Sequence, residues 1–450
     1  MPHTLATVIP VRHGRRRSVV LLSALVLMMF TGCTTKVATL SVSDGMGPQP
    51  VLPAPRTSLI PSIHVVTASA WRAGEMPTAV SGLSVQAFAQ GLDHPRWLYV
   101  LPNGDVLVAE TNAPERPKHA TGIRGWFFKR FMARAGGATL SANRITLLRD
   151  ADGDGVAELR STLLSGLVSP FGMALVGSTL YVANTDAIVR VPYVTGDTAI
   201  DATPVQVVAL PAGLRNHHWT KSLIASPDGQ FLYVGVGSNS NAAENGMAEE
   251  AERAAIWEVD PATGSHRVYA SGLRNPVGMA WQGTVLWVAV NERDELGPDL
   301  VPDYMTSVRE GAFYGWPFSY FGANVDERVK PKRPDLVASA LVPDYALGPH
   351  TASLGLASAE GNALGDAYAH GMFIGQHGSW NRDPFSGYKV IFVPFRGDSA
   401  VGPPTDVLVD FLRDNGKANG RPVGVVVDAR GGLLVADDVG NTVWRVTKAR

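Results

Sequence analysis

The sequence predicts an all-β protein, a six-bladed β-propeller with long face insertions, preceded by a signal peptide and a flexible tether. Three observations lead to this prediction. A strand–turn–strand unit recurs six times from about residue 85 onward. Glycine and proline are plentiful, at 47 and 31 of 450 residues, as expected for many short strands joined by turns. No helical periodicity separates the strands, and 45% apolar residues are enough for a large core.

Five of the six units begin with Gly-Leu or Gly-Arg-Pro, and the fifth begins more loosely. Their first residues are Gly91, Gly166, Gly213, Gly272, Leu347 and Gly420. Each unit continues into an apolar strand, a turn rich in Asn, Asp and Gly, and another apolar strand. Most units close with a further strand, such as RITLLRD, AIVRVPY, AIWEVD, YKVIFVPF or TVWRVT. One such sheet cannot bury both its faces, so the sheets must stack around an axis.

Uneven spacing between the units places long insertions at residues 112–142, 239–254 and 291–340. Insertions of this kind collect on the faces of a propeller, where sites are usually built. The alternative fold is a tandem of β-sandwiches. It would require Greek-key spacing and would not produce one recurring unit.

The N-terminus reads as an export signal followed by a lipidation site. Four arginines precede an apolar run, Val19 to Phe30, which is too short to span a bilayer comfortably. The sequence Phe30-Thr31-Gly32-Cys33 follows and resembles a bacterial lipobox, and Cys33 is the only cysteine of the chain. We therefore predict a lipoprotein signal peptide over residues 1–32, lipidation of Cys33, and a periplasmic lipoprotein anchored to the membrane, expected to be the outer membrane. An uncleaved anchor is the alternative.

Residues 33–80 are predicted to be a flexible tether, because prolines lie among Ser, Thr and Ala without periodic pattern. Residues 81–450 then form the propeller domain. The formal net charge is −1, and it becomes −5 without residues 1–32, with 35 basic and 40 acidic residues. This balance gives no sign of a nucleic-acid surface. A single cysteine allows no disulfide within the chain.

Polar residues stand just before the inner strands of the third and fourth units. His217 and His218 are adjacent at a strand start and so point to opposite sides, which lets one face the central channel. Histidine is the side chain most easily poised as a base near neutral pH. In the fourth unit, Arg274 and Asn275 could bind a carboxylate-rich or quinone ligand. Structural histidines and a hydrogen-bonded turn are the plainer alternatives.

Two acidic segments are candidate calcium sites. The loop 291–304 carries five acids among glycine and proline: Glu292, Asp294, Glu295, Asp299 and Asp303. Asp150, Asp152 and Asp154 have the spacing of a calcium loop, although Ser161 stands where the usual final acid belongs. A solvated acidic loop and a tight turn between strands are the respective alternatives.

One further segment bears on membrane contact, and several absent motifs exclude classes of enzyme. Residues 122–137 are aromatic and basic, which suits either a membrane surface or a short helix packed on the propeller. The sequence has no glycine-rich phosphate loop, no dinucleotide-binding fingerprint, no zinc spacing and no Gly-x-Ser-x-Gly elbow. Nicotinamide enzymes, nucleotide hydrolases and serine esterases are therefore disfavoured.

Five motifs occur in order: NHHWTKSLIASPDG, SGLRNPVGMA, NERDELG with PDY and YGWP, GQHGSWNR with GYKV, and GRPVGVVVD. Together they resemble the glucose/sorbosone dehydrogenase family, whose members use pyrroloquinoline quinone (PQQ). The resemblance covers residues 85–447 and is nearest to the sorbosone-dehydrogenase-like branch. It implies that His218 is the catalytic base that takes the proton of a sugar hydroxyl while hydride passes to the quinone. Arg274 and Asn275 match residues that bind the quinone oxygens and stabilise the charge that develops there.

The same resemblance implies further cofactor contacts. Arg421 matches an arginine that contacts the quinone from the sixth unit, and His377 lies where relatives carry a lysine. The main-chain carbonyls of Arg293 and Asp294 match the pair that holds calcium, which would polarise the quinone carbonyl. PQQ and Ca²⁺ are therefore the cofactors that the resemblance implies.

The chain also departs from the glucose-oxidising relatives. Those enzymes carry an acid that orients the catalytic histidine, and here Ser238 or Asn239 stands near that place. A glutamine expected in the second unit is replaced around Pro170 and Phe171. We therefore predict PQQ- and calcium-dependent oxidation of an aldose or sugar aldehyde, with glucose itself in doubt and a quinone or cytochrome as electron acceptor. A calcium-dependent lactonase-like hydrolase and a non-catalytic propeller that binds a glycan or protein stay open.

Overall fold

The computed structural model describes residues 1–2, 37–56, 64–114, 134, 139–213 and 215–450. Within them, six antiparallel sheets surround one axis, which confirms the predicted six-bladed propeller. Blade 1 contains the strands Pro95–Val100, Val106–Glu110, Arg144–Arg149 and Leu159–Leu164. Blade 2 contains Met173–Val176, Thr179–Ala183, Ala187–Pro192 and Val205–Ala209. Blade 3 contains Leu223–Ala225, Leu232–Val236, Ala255–Val259 and His266–Ser271.

The remaining blades have the same order from inner to outer strand. Blade 4 contains Pro276–Gln282, Val285–Val290, Pro302–Ser307 and Tyr345–Pro349. Blade 5 contains Ser353–Ser358, Gly371–Gln376, Lys389–Arg396 and Thr405–Val409. Blade 6 contains Pro422–Val427, Leu433–Asp437, Thr442–Lys448 and Leu83–Gln90. The five closing runs seen in the sequence are the third strands of blades 1, 2, 3, 5 and 6.

Blade 6 is completed by a strand from the other end of the chain. Leu83–Gln90 precedes blade 1 in sequence, yet it pairs antiparallel with Thr442–Lys448 as the outer strand of blade 6. Each inner strand also contacts the inner strands of both neighbouring blades. The ring is therefore closed by main-chain hydrogen bonds between its first and last strands, which leaves no open edge at the junction.

The core is divided into layers that lie between neighbouring blades. Each of the six junctions has its own buried apolar cluster, and Leu107 with Leu180 (blades 1 and 2) and Trp287 with Ile374 (blades 4 and 5) are examples. Second strands such as Leu232–Val236 are buried along their whole length because both faces of the sheet are covered. This explains the continuous apolar runs in the sequence.

Glycine allows the inner strands to approach closely near the axis. A Cβ on Gly172 of blade 2 would lie 2.1 Å from the main-chain nitrogen of Leu223 in blade 3. A Cβ on Gly355 of blade 5 would lie 2.1 Å from the carbonyl oxygen of Val423 in blade 6. Any side chain at these two positions would force neighbouring blades apart.

The prediction of a flexible tether over residues 33–80 is wrong for its described part. Met46–Gly47 pairs with the outer strand of blade 4, Thr67–Ala68 with Lys417–Ala418, and Thr78–Ala79 with the outer strand of blade 5. Val66 is fully buried, and the Trp71 indole donates to Asp437 at 2.7 Å. The prolines therefore belong to a segment that is fixed to the propeller by short strand pairs and buried side chains.

The other regular elements are short. They are the strands Ser319–Tyr320, Asn324–Val325 and Ser399–Ala400, the helix Pro334–Ser339, and the 3₁₀ turns Ser43–Gly45, Met247–Glu250 and Asp366–Tyr368. Over the described ranges, no helix has both the length and the apolar character needed to cross a membrane. The predicted signal peptide from residue 3 onward, Cys33 and all of segment 122–137 except Arg134 lie outside the described residues.

Candidate active site

The predicted site residues lie on one face of the propeller, where inner strands begin and second strands end. Antiparallel pairing brings these two points together, as Pro276 opposite Val290 and Pro422 opposite Asp437 show. Residues just before an inner strand therefore meet residues just after a second strand. The sequence places Arg421 in the first group and His377 in the second.

His218 is fixed by Ser238, which follows the second strand of blade 3. The imidazole Nδ1 lies 3.0 Å from the main-chain oxygen of Ser238 and 3.0 Å from its hydroxyl oxygen. That hydroxyl donates its hydrogen to the carbonyl of Ser240 at 2.7 Å, and a carbonyl oxygen can only accept. Nδ1 must therefore carry the hydrogen, so Nε2 of the neutral ring holds the free lone pair.

The surroundings of His218 keep its ring neutral. Burial lowers its pKa well below the usual 6.5, and the charge of the neighbouring Arg274 lowers it further. The side chain is nevertheless partly exposed at the propeller face. A neutral, oriented and reachable imidazole is what a general base requires.

A buried lysine lies beneath the histidine. Lys221 is fully buried, and its ammonium group lies 3.4 Å from the carbonyl oxygens of both His218 and Trp219. Burial lowers its pKa to about 7, and the charge of Arg253 acts in the same direction. Lys221 thus holds the main chain of the His218 loop from below.

The side chains of Asn275 and His218 both lie next to the Cα atom of Gly237. A Cβ on Gly237 would lie 2.5 Å from both Asn275 Oδ1 and His218 Cβ, so only glycine lets these two side chains come together. Asn275 Oδ1 is buried and has no hydrogen-bond partner among the described residues. An unpaired buried amide oxygen is costly and commonly marks a ligand contact. An amide offers both an acceptor oxygen and N–H donors, so Asn275 can bind such a ligand through either.

Arg274 is buried and serves mainly to hold loops. Its guanidinium donates to the carbonyls of Asn241, Asn291 and Glu292 at 2.8–3.1 Å, and to Asn241 Oδ1 at 3.0 Å. Four of its five N–H groups are therefore occupied, and Asp294 Oδ2 lies 3.8 Å from Nη2. The sequence predicts that Arg274 binds a ligand with its guanidinium, and only one of its N–H groups is left for that contact.

His377 and Arg421 belong to a second cluster, centred on the buried carboxylate of Asp438. His377 Nε2 lies 2.9 Å from Asp438 Oδ2, and Arg421 Nη1 lies 3.5 Å from His377 Nδ1. Burial lowers the pKa of His377 to about 4, with the charges of Arg421 and Arg96 acting in the same direction. His377 is thus neutral, and it donates Nε2–H to the carboxylate while Nδ1 faces the arginine.

Sequence reasoning missed three members of this cluster: His94, Arg96 and Asp438. Arg96 Nη1 donates to Asp438 at 3.1 Å, and His94 Nε2 lies 3.5 Å from the same oxygen. The Arg96 guanidinium also lies 5.6 Å from the ring centroid of Trp219, which follows His218 in sequence. His94 directly precedes Pro95, the first residue of the blade 1 inner strand, as Asn275 precedes Pro276 and Arg421 precedes Pro422, and Arg96 follows Pro95. That position is the signal that could have found them.

Of the two predicted calcium-binding carbonyls, that of Asp294 is occupied by hydrogen bonds. The main-chain oxygen of Asp294 accepts Nε and Nη2 of Arg293 at 3.1 and 2.8 Å, and Asn241 Nδ2 at 3.2 Å. A carbonyl has two lone pairs, so these three contacts leave no position for a cation. The Arg293 guanidinium also forms a buried ion pair with Asp326. The Asp294 carbonyl and the Arg293 side chain therefore hold loops together in this structure, and calcium binding by this pair of carbonyls stays a prediction.

The acids of loop 291–304 are neither a metal cluster nor a solvated loop. Each has its own partners, and most are buried. The contacts are Asp294 with His350, Glu295 with Arg328, Asp299 with Arg56 and Arg382, and Asp303 with Thr351 and Ser353. Burial raises the pKa of Glu292 to about 7. Because these acids are paired separately, both sequence interpretations of this loop are wrong.

In the part of the chain that the structure describes, one acidic cluster has metal-ligand spacing. It consists of Asp150, Asp152, Asp154 and Glu158, with one oxygen of each within 4.8 Å of the others. The Asp150 carboxylate accepts the backbone N–H groups of Gly153 and Gly155, and it pairs with Arg430 at 2.6 Å. These contacts form a tight turn between the third and outer strands of blade 1. Whether calcium binds there stays a prediction.

Fold and site together define a six-bladed β-propeller whose one face carries a histidine- and arginine-rich polar site. The sequence model of the TrAA12-like family matches residues 139–303 and 337–449, and the chain belongs to this family. An uncharacterized protein of Borreliella burgdorferi is 27% identical over 301 residues, which cover 63% of this chain and 77% of that protein.

Solved structures of other proteins have the same fold. The holo form of the PQQ domain of pyranose dehydrogenase from Coprinopsis cinerea superimposes with a TM-score of 0.65 at 20% identity, over 85% of this chain and 100% of that chain. The calcium structure of a Trichoderma reesei carbohydrate-active enzyme of family AA12 has a TM-score of 0.66 at 16% identity. It covers 86% of this chain and 99% of that chain.

Proposed function

We propose that this protein oxidises an aldose or sugar aldehyde with bound PQQ, and that His218 is the general base. One observation carries the proposal. Ser238 fixes the tautomer of His218, so that a neutral Nε2 is free to accept a proton beside the unpaired amide of Asn275. The family membership supports the class of reaction.

In the proposed reaction the sugar carbon loses a hydride and its hydroxyl loses a proton. His218 Nε2 takes the proton, and Nδ1 stays hydrogen-bonded to Ser238 throughout. When bound, PQQ supplies an electrophilic carbonyl that accepts the hydride. Two electrons then pass to an external acceptor, for which a quinone or a cytochrome is the expected class.

The side chains around the axis fit PQQ, which carries three carboxylates and two quinone oxygens. Arg96 Nε and Arg421 Nε are buried without partners among the described residues, and each guanidinium can meet a carboxylate. The Asn275 amide and the remaining N–H of Arg274 lie beside the base, where a quinone oxygen would gain negative charge. No step is assigned to calcium, because the Asp294 carbonyl of the predicted pair is already occupied by hydrogen bonds.

A titration with PQQ tests the proposal. The full chain should take up PQQ, seen as cofactor absorbance after gel filtration, and should reduce a dye when an aldose is added. His218→Gln should keep the cofactor and lose about 10²–10⁴-fold in turnover. His266→Gln is the matched control, because His266 stacks on Trp257 at the outer strand of blade 3. Absence of PQQ uptake by the wild-type protein would reject the proposal.

We also propose that the protein is exported and anchored by a lipid on Cys33, as the N-terminal sequence predicts. In a bacterial host, the wild-type chain should sediment with membranes and gain the mass of a diacylglyceryl group on Cys33. Cys33→Ala should lack that added mass. If the tryptic peptides that contain residue 33 differed between wild type and Cys33→Ala only by the mass of the substitution, lipidation would be rejected.

A further inference from the structure

Trp380 stands out as an exposed aromatic residue on the site face. It lies between the second and third strands of blade 5, three residues after His377. Its side chain is 39% exposed, whereas the neighbouring Ser379 and Asn381 are 0% and 6% exposed. The chain therefore buries both neighbours and leaves the largest side chain of this loop in contact with solvent.

The residue before Trp380 is tied to one side of the proposed cofactor site. The Tyr388 hydroxyl donates to the main-chain oxygen of Ser379 at 2.7 Å. Arg421 Nη2 in turn donates to the same Tyr388 hydroxyl at 3.2 Å, and its guanidinium lies 5.1 Å from the centroid of the Tyr388 ring. Two hydrogen bonds thus separate the peptide unit joining Ser379 and Trp380 from Arg421.

The residue after Trp380 is tied to the other side. Asn381 Nδ2 donates to Asp294 Oδ1 at 2.8 Å, and Asp294 Oδ2 lies 3.8 Å from Arg274 Nη2. The carbonyl of Trp380 itself accepts the main-chain N–H of His64 at 2.7 Å. The loop at Trp380 is therefore held at three consecutive residues, through the main-chain oxygens of Ser379 and Trp380 and the side chain of Asn381, between the two arginines that the proposed function places around the cofactor.

We propose that Trp380 is the platform on which the apolar face of a pyranose ring rests, and that it sets which sugars the enzyme accepts. This inference rests on the proposed function and adds a binding residue to that site. Sugar rings present C–H groups on their faces, and a large amphipathic aromatic side chain matches such a surface. Because the main chain at Trp380 is already ordered, little conformational entropy is lost when a sugar binds.

Kinetics of the PQQ-loaded full chain test this role, with D-glucose, D-galactose and D-xylose as probes. Trp380→Ala should raise the KM for the preferred sugar about tenfold, while PQQ uptake is unchanged and kcat changes less than about twofold. Trp380→Phe should lie between wild type and Trp380→Ala. Phe231→Ala is the matched control, because Phe231 is 37% exposed at a hairpin on the opposite face. An unchanged KM for every sugar, or a change only in the KM for the dye, would overturn the inference.

Sugar binding measured without turnover separates this inference from the redox function. Saturation-transfer NMR should show sugar signals with wild type and Phe231→Ala, and at least about fivefold weaker signals with Trp380→Ala at the same concentrations. Weaker signals in a protein that never reduces the dye would support the platform and reject the redox function. Equal signals in wild type and Trp380→Ala, or no signal from wild type with any of the three sugars, would overturn the platform. Unfolding temperatures of all variants check that each is folded.

Discussion

His218 and Ser238 are joined through Nδ1, which lies 3.0 Å from both the carbonyl and the hydroxyl oxygen of the serine. A serine here orients the ring but adds no negative charge. The histidine therefore gains orientation without the rise in pKa that a carboxylate partner gives. Its burial and the Arg274 charge act on the pKa unopposed by any acid among the causes of the shift.

The pH dependence of turnover follows from this relationship. Because the pKa of His218 is lowered from 6.5, the base stays neutral into mildly acidic solution, and the acidic limb of the kcat profile should lie below pH 6.5. Ser238→Asp should move that limb upward by about one to two pH units, since a carboxylate stabilises the protonated ring. Stopped-flow measurements of dye reduction across pH locate the acidic limb for wild type and for Ser238→Asp. Ser265→Asp, on an exposed turn of blade 3, should leave the limb in place; an unmoved limb in Ser238→Asp would contradict the assignment of the base.

Arg274 should matter for stability as well as for the cofactor. Its four hydrogen bonds join the loops that follow the second strands of blades 3 and 4. Arg274→Lys retains the charge but cannot make this set of contacts, so we expect a loss of about 2–4 kcal/mol in the free energy of unfolding. Urea unfolding measures this loss, and Arg309→Lys, at an exposed arginine, is the control. Equal midpoints would show that the loops do not depend on this residue.

Lys221 should make stability rise with pH above neutrality. Its pKa is about 7 in the folded state against 10.5 in an open chain, so the unfolded chain binds the extra proton between those values. The free energy of unfolding should therefore increase through this window, by up to about 1.4 kcal/mol per pH unit from this one group. Lys221→Met should remove that slope, whereas Lys389→Met, at a surface pair with Asp406, should keep it. Denaturant unfolding between pH 7 and 10 measures how the free energy of unfolding depends on pH. An identical dependence in wild type and Lys221→Met would show that Lys221 is not the group responsible.

Gly172 should tolerate no side chain. A methyl group there would lie 2.1 Å from the main-chain nitrogen of Leu223. Gly172→Ala should therefore lower the free energy of unfolding by about 1–3 kcal/mol. Gly177→Asn is the control, because its added Cβ meets nothing within 4 Å and asparagine accepts its positive φ of 58°. Calorimetric unfolding temperatures give the comparison. A wild-type temperature for Gly172→Ala would mean that the blades can separate freely at the axis.

The propeller could be predicted from the sequence because its signals are local. Apolar runs of strand length and turn residues such as those at 102–105 recur in every blade, and each is visible without knowledge of its neighbours. The segment around Val66 and Trp71 could not be predicted in the same way. Its strand pairs are two residues long, so they have no periodicity, and its partners lie more than 300 residues away.

The candidate site was predictable only in part, for a related reason. His218, Asn275 and Arg421 were found because they share a position in the repeat and occur in motifs. Nothing in the sequence shows that Asp438 neutralises Arg96, or that Arg293 occupies the carbonyl of Asp294, because these contacts depend on three-dimensional pairing. Side-chain pairing therefore decides which of the predicted ligands are free to bind.

The pairing of Leu83–Gln90 with Thr442–Lys448 has a consequence for biosynthesis. The two strands that seal the ring are the first and nearly the last parts of the domain to leave the ribosome. Five blades can assemble before Thr442–Lys448 has been synthesised, but the sixth has to wait for that strand. Until then the exposed edge of the early strand is a target for wrong partners, so it needs chaperone protection for as long as the five blades in between are being made.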